Sequence, residues 1–388
     1  MQASPMKVIH VVTTTDVGGA QIMLHRYLSA LKDGAQSHSV ISLVPPGAVA
    51  SQIEALGVEV TDLGLRPGRI TFAALLRLRR LLRDARPDVV HGWMYHGCLA
   101  AWAGLKLLPK RKRAAQVWAV HHSLQDINNE KRSTRMVVRM MAALSRKIEL
   151  ITYCSRVSQE QHEAIGFYPD RVELIANAVD TEIFRPDPAA RARLGGIADI
   201  PDERLIIGNV ARNHPMKDHV AIAKATAQLV EMGHDVHAVL VGEGHRGSLA
   251  EQTAQDLGIT NRVSIIDTRP DIHRIVPGFD IFLLSSAWGE AFPLAVSEAM
   301  AAEVPCVVTD VGDCAQLVGD TGRVVPPAQP EKQALAVAEL IDEGPIARAT
   351  LGKLARERVT DNFSTDIYVD RHYAAYGRAT SAKISSQS

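Results

Sequence analysis

Two open, doubly wound parallel α/β sheets with a cleft between them are expected from three observations. Short β-branched runs alternate with longer amphipathic segments in both halves of the chain, the pattern of parallel α/β units. The 388 residues exceed one domain of ordinary size. A polar, proline-marked stretch from Asn177-Ala178-Val179-Asp180 to Pro188 separates the two series. The expected division is a first domain over 1–176, a linker over 177–200, and a second domain over 201–364. A helix over about 365–380 would return to the first domain.

Strands of the first series are expected at Val8–Thr13, Ser39–Leu43, Val58–Leu63, Val89–His91, Gln116–Val120 and Glu149–Thr152. Amphipathic helices, including Gln21–Leu31, Thr71–Arg83 and Gly97–Leu107, fall between them. The second series has strands at Leu205–Val210, Val236–Val241, Val263–Ile265, Ile281–Leu284, Cys306–Val308 and Arg323–Val325. Its helices include Val220–Glu231, Arg246–Leu257, Leu294–Ala302 and Glu331–Asp342. Ala347 to Arg378 reads as further helix, and the polar last ten residues as a frayed end. Ligands of such sheets bind outside the carboxyl ends of the strands.

Composition narrows the class. Hydrophobic residues make up 46% and charged residues 22%, an ordinary soluble mixture, and no apolar run approaches the ~20 residues that span a bilayer. The start, Met1 to Lys7, runs straight into a strand, so no signal peptide is expected. Cys98, Cys154, Cys306 and Cys314 lack metal or disulfide spacing and read as buried, reduced thiols of a cytoplasmic protein. Net charge is zero, yet residues 1–175 hold 23 basic and 14 acidic residues, which leaves this half at +9 and the remainder at −9. Lys131, Arg132, Arg135, Arg139, Arg146 and Lys147 accompany Met136, Val137, Val138, Met140, Met141 and Leu144 on a basic amphipathic helix. That helix is either a solvated face or a contact for an anionic membrane surface or a phosphate-bearing substrate. A nucleic-acid partner is not expected, since the basic clusters carry no interleaved aromatics.

Four segments can carry chemistry. The run Ser285 to Ala302 ends an apolar strand in small polar residues, then places Glu290 in a turn, Pro293 at a helix start and Glu298 about one and a half turns into that helix. A helix N-terminus facing a strand's carboxyl edge favours anions, and the two carboxylates can reach different parts of one elongated polar ligand. In Gly208 to Asp218, Arg212 and Lys217 emerge from one loop; they can neutralise a diphosphate, or be two surface cations. Gly18 and Gly19 follow the first strand, where the backbone can approach a phosphate or sugar, or merely turn tightly. His121 and His122 close the fifth strand, and His91 and His96 end the fourth, with His91 read as a structural histidine. H-E-x-x-H, C-x-x-C, D-x-D after a strand, G-x-S-x-G, the P-loop and G-x-G-x-x-G are all missing, which disfavours metal hydrolases, serine hydrolases, P-loop kinases and nicotinamide-dinucleotide enzymes.

Taken in order, these pieces resemble the retaining, nucleotide-sugar-dependent GT-B glycosyltransferases of family 4. The resemblance runs from Val8-Ile9-His10-Val11-Val12 with Gly18-Gly19 to Asn362-Phe363-Ser364. It is most specific in Glu290-Ala291-Phe292-Pro293-Leu294, Glu298-Ala299-Met300-Ala301, Val304 to Gly312 and Thr321 to Pro327, preceded by Arg212, Lys217-Asp218 and Val241-Gly242-Glu243-Gly244.

The resemblance implies two Rossmann-like domains and a set of roles. Arg212 and Lys217 would bind the donor diphosphate and offset the charge it gains on leaving. Glu290 would hold donor-sugar hydroxyls, beside backbone N–H groups near Phe292 and Leu294. Glu298 would accept from the ribose, and Gly18 and Gly19 would meet the phosphates. His122 fits the family's cleft histidine, with His121 the alternative. No metal or cofactor is implied beyond the donor, for which a UDP-sugar is expected. The acceptor would be a glycan or a lipid-linked precursor in cell-surface polysaccharide or glycolipid synthesis. The protein would be cytoplasmic, with peripheral contact to the inner face of an anionic membrane through its basic half.

Ala291, Glu303, Gln21, Ala178 and Asp267-Thr268 depart from the family's usual pattern; Ala291 and Asp267 bear on sugar and base preference. A small soluble acceptor, a nucleotide-sugar epimerase and a non-catalytic nucleotide-sugar-binding protein are the competing readings.

Overall fold

The computed structural model describes residues 6–66, 71–125 and 127–385, with Asp33 and Asn129 described by backbone alone. Residues 1–5, on which the reading of the N-terminal start partly rests, lie outside the described residues, as do 386–388. The chain divides into two compact units, residues 1–177 with 365–388, and residues 178–364.

The first unit carries seven strands: β1 (Val8–Val12), β2 (His38–Ser42), β3 (Glu59–Asp62), β4 (Val89–Trp93), β5 (Ala115–Val120), β6 (Leu150–Tyr153) and β7 (Val172–Leu174). They lie in the order β3-β2-β1-β4-β5-β6-β7, and every pairing is parallel. Its crossover helices are α1 (Gly19–Ala30), α2 (Ala48–Glu54), α3 (Phe72–Ala85), α4 (Met94–Lys106), α5 (Arg132–Leu144) and α6 (Arg156–Ala164). Strands β1, β4 and β5 are buried along their whole length, as expected of parallel strands covered by helices on both faces. Thr71 starts α3 by accepting a hydrogen bond from the Ala74 N–H at 3.2 Å. The short strand β7, absent from the expected list, pairs only with β6 at the sheet edge.

In the second unit, six strands, β8 (Leu205–Val210), β9 (Val236–Val241), β10 (Val263–Ile266), β11 (Ile281–Leu284), β12 (Cys306–Thr309) and β13 (Gly322–Val325), lie in the order β10-β9-β8-β11-β12-β13, again all parallel. The helices are α7 (Ala190–Ala198), α8 (His219–Glu231), α9 (Leu249–Asp256), α10 (Leu294–Ala301), α11 (Cys314–Val318), α12 (Pro330–Asp342) and α13 (Gly344–Phe363). The segment expected to link the domains carries structure of its own. Ala178 and Val179 are fully buried, and Leu194 of α7 is equally so.

The tail is two helices. Helix α13 ends where Ser364 turns extended (ψ 159°), and the Phe363 carbonyl accepts from the Val179 N–H at 2.9 Å. Helix α14 (Thr365–Ser385) then packs on α1, β4, β5 and β6 of the first unit. The expected frayed end is helical as far as Ser385.

Helix α14 is joined to the first sheet by buried rings. The Trp93 indole N–H donates to His10 Nδ1 at 3.1 Å. A neutral His10 therefore carries its proton on Nε2 and donates to His38 Nδ1 at 3.0 Å. His91 Nδ1 pairs with the Tyr376 hydroxyl at 2.8 Å, and His372 Nδ1 donates to the Tyr368 carbonyl at 2.9 Å. Burial lowers the pKa of all four histidines, His38 to about 4 and His372 to about 3.

The turn after α10 explains one departure from the family pattern. Glu303 N–H donates to Met300 O and Val304 N–H to Ala299 O, both at 3.0 Å, while Glu303 sits at φ +62°. This is a Schellman cap, whose left-handed position normally holds glycine. The backbone of Gly352 lies against the Glu303 carbonyl, where a Cβ at 352 would fall 1.9 Å from the oxygen.

Two outcomes follow for stability. Glu303→Gly, which relieves a left-handed non-glycine residue, is expected to raise stability by about 1 kcal/mol, read from urea unfolding midpoints. Histidines with lowered folded-state pKa hold fewer protons folded than unfolded below the ordinary value of 6.5. Their contribution is present above pH 6.5 and lost as pH falls from 6.5 toward 4 and 3, at about 1.4 kcal/mol per pKa unit for each group. Thermal melts from pH 7 to 4 should therefore show a steep loss that His372→Asn makes shallower.

Candidate functional site

In both sheets the chain order reverses between two central strands, β1 and β4 in the first, β8 and β11 in the second. The loops leaving such a pair diverge to opposite faces and open a crevice at the carboxyl edge. In the second unit those loops are 211–218 and 285–293, and they contain the cations and the first glutamate singled out in the sequence.

The two loops are tied to each other along their length. The Ala287 N–H donates to Met216 O at 2.8 Å, and the Ser285 hydroxyl to Lys217 O at 2.7 Å. A third loop closes the far side: the Thr309 hydroxyl donates to Ser286 O at 2.7 Å and the Asp313 N–H to Ala291 O at 3.0 Å. Gly312 (φ +61°) lies so near Glu290 that a Cβ there would stand 2.2 Å from the Glu290 carbonyl oxygen. His214 accepts from the Met216 N–H across the turn Pro215–Lys217, and Asp218, itself left-handed at φ +46°, accepts from the Ala221 N–H to start α8.

The outcome is a nearly buried ion pair. Lys217 Nζ lies 2.6 Å from Glu290 Oε1, with the two side chains 19% and 7% exposed. The Ser286 hydroxyl donates to the same oxygen. Both bonds fall on Oε1. The two residues were expected to engage separate parts of a ligand, and here they hold each other. Ser286 is the member that sequence reasoning missed; its signal was the Ser285-Ser286 pair closing β11.

Around the pair the other candidates take their places. Arg212 is exposed on the same loop as Lys217. Phe292 is buried with its ring centroid 5.3 Å from that of Phe363, Pro293 is the N-cap rather than the first helical residue, and Leu294 opens α10. Glu298, fifth in α10, is half-buried. Beneath the loops, His219 Nε2 meets Asn209 Oδ1 at 3.1 Å while Asn209 Nδ2 donates to Leu283 O at 2.8 Å. His245 Nε2 donates to Ala211 O at 2.8 Å. Burial drives His219 down to about 3, so this support is neutral imidazole.

The first unit holds the remaining candidates. Gly18 and Gly19 close the β1–α1 loop, which is pinned by Thr14, Thr15 and Gln21. Nothing lies within 4 Å of a Cβ built on Gly19, so packing within the chain does not explain that glycine. His122 Nε2 is engaged by Glu130 Oε1 at 2.9 Å. His121 is stacked on Trp93 at 5.0 Å and bonded through Nδ1 to Asn177 Oδ1 at 3.0 Å, with burial holding it neutral at about 4. Among the described residues no group of three or more His, Cys, Asp or Glu is placed to hold a metal ion, and the four cysteines are buried and form no disulfide.

Comparison with known proteins decides the family. Residues 17–183 match the model of Glycosyltransferase Family 4, and residues 194–358 that of Glycosyl transferases group 1. The chain belongs to the glycosyltransferases of this family. It is 25% identical over 401 residues to a D-inositol 3-phosphate glycosyltransferase of Kribbella flavida, covering 95% of this chain and 92% of that one. It is 25% identical over 247 residues to an Escherichia coli UDP-Gal:alpha-D-GlcNAc-diphosphoundecaprenol alpha-1,3-galactosyltransferase, covering 61% and 62%. The crystal structure of Anabaena HepE in complex with UDP superposes with a TM-score of 0.83 at 20% identity, covering 96% of this chain and all of that one. The fold is thus that of the GT-B glycosyltransferases.

The ion pair gives this glycosyltransferase a testable energetic signature. Removing one partner strands a buried charge, which costs about 3–5 kcal/mol, whereas removing both is nearly neutral. Lys217→Met should lower unfolding stability by about 3 kcal/mol, and Lys217→Met with Glu290→Gln should recover most of it, as measured by a double-mutant cycle in urea.

Proposed function

We propose that this glycosyltransferase is a retaining, metal-independent enzyme. It would move a sugar from a UDP-sugar to a lipid-linked or glycan acceptor in cell-surface polysaccharide or glycolipid synthesis. The observation that carries the reading is the Lys217–Glu290 pair with Ser286, set between the loops after β8 and β11 at the start of α10.

The pair suits a donor that exchanges partners with it. A diphosphate entering beside α10 meets the helix N-terminus and Arg212 and draws the Lys217 ammonium from Glu290. The freed carboxylate accepts hydroxyls of the donor sugar, so neither charge is left uncompensated when substrate binds. As the sugar–phosphate bond breaks, Lys217 and Arg212 stabilise the departing charge. They supply it with positive charge, the role a metal plays elsewhere. Glu298 serves the ribose, backbone N–H groups at Phe292 and Leu294 serve the donor, Gly18 and Gly19 serve its phosphates, and His122 is the histidine assigned to the reaction. Retention follows from front-side attack, the leaving phosphate taking the acceptor's proton.

The diphosphoundecaprenol in one relative's name and the basic first half support a lipid-linked acceptor and peripheral contact with the inner face of an anionic membrane. The D-inositol 3-phosphate in the other supports the second reading, a small soluble acceptor. Salt-sensitive association with anionic vesicles separates the two.

Four results test the proposal. UDP-sugars should raise the melting temperature more than other nucleotide sugars in a panel. Lys217→Ala should lower turnover at saturating donor by an equivalent of roughly 2–4 kcal/mol, and a near-wild-type rate would refute its role. Turnover should persist in EDTA, with the donor's anomeric configuration retained in the product by proton NMR.

A further inference from the structure

The first unit contains a cavity that no part of the proposed reaction uses. It has a volume of about 190 Å³ and lies among Leu75 and Leu78 of α3, Leu99, Trp102 and Ala103 of α4, and Met140 of α5. Its walls are leucine, alanine, methionine and one tryptophan. An apolar cavity of about 150 Å³ stays dry and accepts benzene, so this one is large enough for a short run of hydrocarbon, and the unpartnered Trp102 indole N–H is the single polar side-chain group among its lining residues.

The surface around it is apolar as well. Phe72 and Leu76, one helical turn apart on α3 beside Leu75, are 70% and 42% exposed. Met136 and Met140, one turn apart on α5, are 64% and 40% exposed. Arg132 and Arg139 fall on the same face of α5 as these methionines, and Lys106 Nζ stands 5.8 Å from the centre of the Trp102 ring. Helices α3, α4 and α5 together carry eight Lys and Arg against one acid, Asp84. A separate surface depression follows α3 and α4, with Arg86, Arg111, Lys112 and Arg113 around it beside the Arg83–Asp84 ion pair at 2.8 Å.

We infer that this cavity takes the end of an acyl chain from an anionic bilayer lipid. A peptide in the cavity would bury backbone N–H and C=O groups for which the walls provide only the Trp102 indole N–H, at a cost a hydrocarbon chain avoids. The predominantly basic surface of these helices matches a surface of phosphate headgroups, with the arginines snorkelling from apolar stems to that charge. The inference rests on the proposed membrane contact and adds to it a site for a single chain.

The test uses the full chain with vesicles of equal parts phosphatidylcholine and phosphatidylglycerol, the latter brominated in mid-chain. Co-sedimentation reads membrane contact, and quenching of tryptophan fluorescence reads chain entry. Trp93 and Trp118 are buried in the fold and Trp288 is in the other unit, so Trp102→Phe should abolish the quenching and preserve binding. Ala103→Phe fills the cavity and should weaken vesicle affinity about tenfold and reduce quenching. Leu75→Gln, at a half-exposed position, should reduce both without a core defect. Binding without quenching, or quenching unchanged in both cavity variants, would overturn the chain site and leave the membrane contact standing. Failure to sediment would overturn both. Quenching by a brominated polyprenyl phosphate but not by the phospholipid would assign the cavity to the acceptor and overturn the inference.

Discussion

The second unit is organised by one constraint: a lysine and a glutamate must meet where the strand order reverses. Lys217 follows β8 and Glu290 follows β11, and the two strands pair at Ile207–Ile281 and Gly208–Phe282. Parallel pairing brings the two strand ends together, but leaves the loops beyond them free to diverge. The bonds from Ala287 to Met216 and from Ser285 to Lys217 remove that freedom. Desolvating both charges is then repaid by a 2.6 Å contact and by the Ser286 hydroxyl. The third loop, through Gly312 and Asp313, fixes the carboxylate's backbone from the side opposite Lys217. A buried pair of this kind is weak evidence for stability in itself, and under the proposed reaction it would be a latch opened by a phosphate and a sugar together.

The first unit depends on different physics. Its sheet acquires α14 from the far end of the chain, and the joint between them is made of imidazole, phenol and indole rings. Such rings bury large apolar areas and pair only part of their polar atoms, leaving His38 Nε2, His91 Nε2 and His372 Nε2 buried without a partner. Each histidine in it must stay neutral, because a proton added to any of them has no acceptor and disrupts a tautomer sequence running from Trp93 through His10 to His38. His91, read as structural from its sequence position, belongs to this joint through Tyr376.

What could be read from sequence follows the range of each interaction. The alternation of strand and helix is local, so the two parallel sheets were legible from β-branched runs such as Val236–Val241. The strand–loop–helix context of Glu290 was equally local. The Lys217–Glu290 pair was not, since 73 residues separate its members and only the strand order makes them neighbours. The same holds for His91 and Tyr376, 285 residues apart. Helix α7 was hidden because its glycines and polar flanks resemble a linker until Leu194 is seen to be buried. The break at Ser364 is set by its pairing with Val179, again a long-range contact.

The departures from the family pattern fall into two kinds once the structure is known. Glu303 is a matter of backbone: it occupies the left-handed position of a helix cap, and its carboxylate has no part in the bonds that form the cap. Asp267 is half of an exposed pair with Arg246 at 3.4 Å, an interaction worth little in water. Ala291 differs from both. Its carbonyl receives the Asp313 N–H, so its backbone is fixed by the same loop that holds Glu290. A methyl group added next to a carboxylate so constrained cannot be absorbed by movement of the loop. Under the proposed reaction this methyl neighbours the carboxylate assigned to the donor sugar, so sugar preference is a matter for this residue as well as for the ion pair.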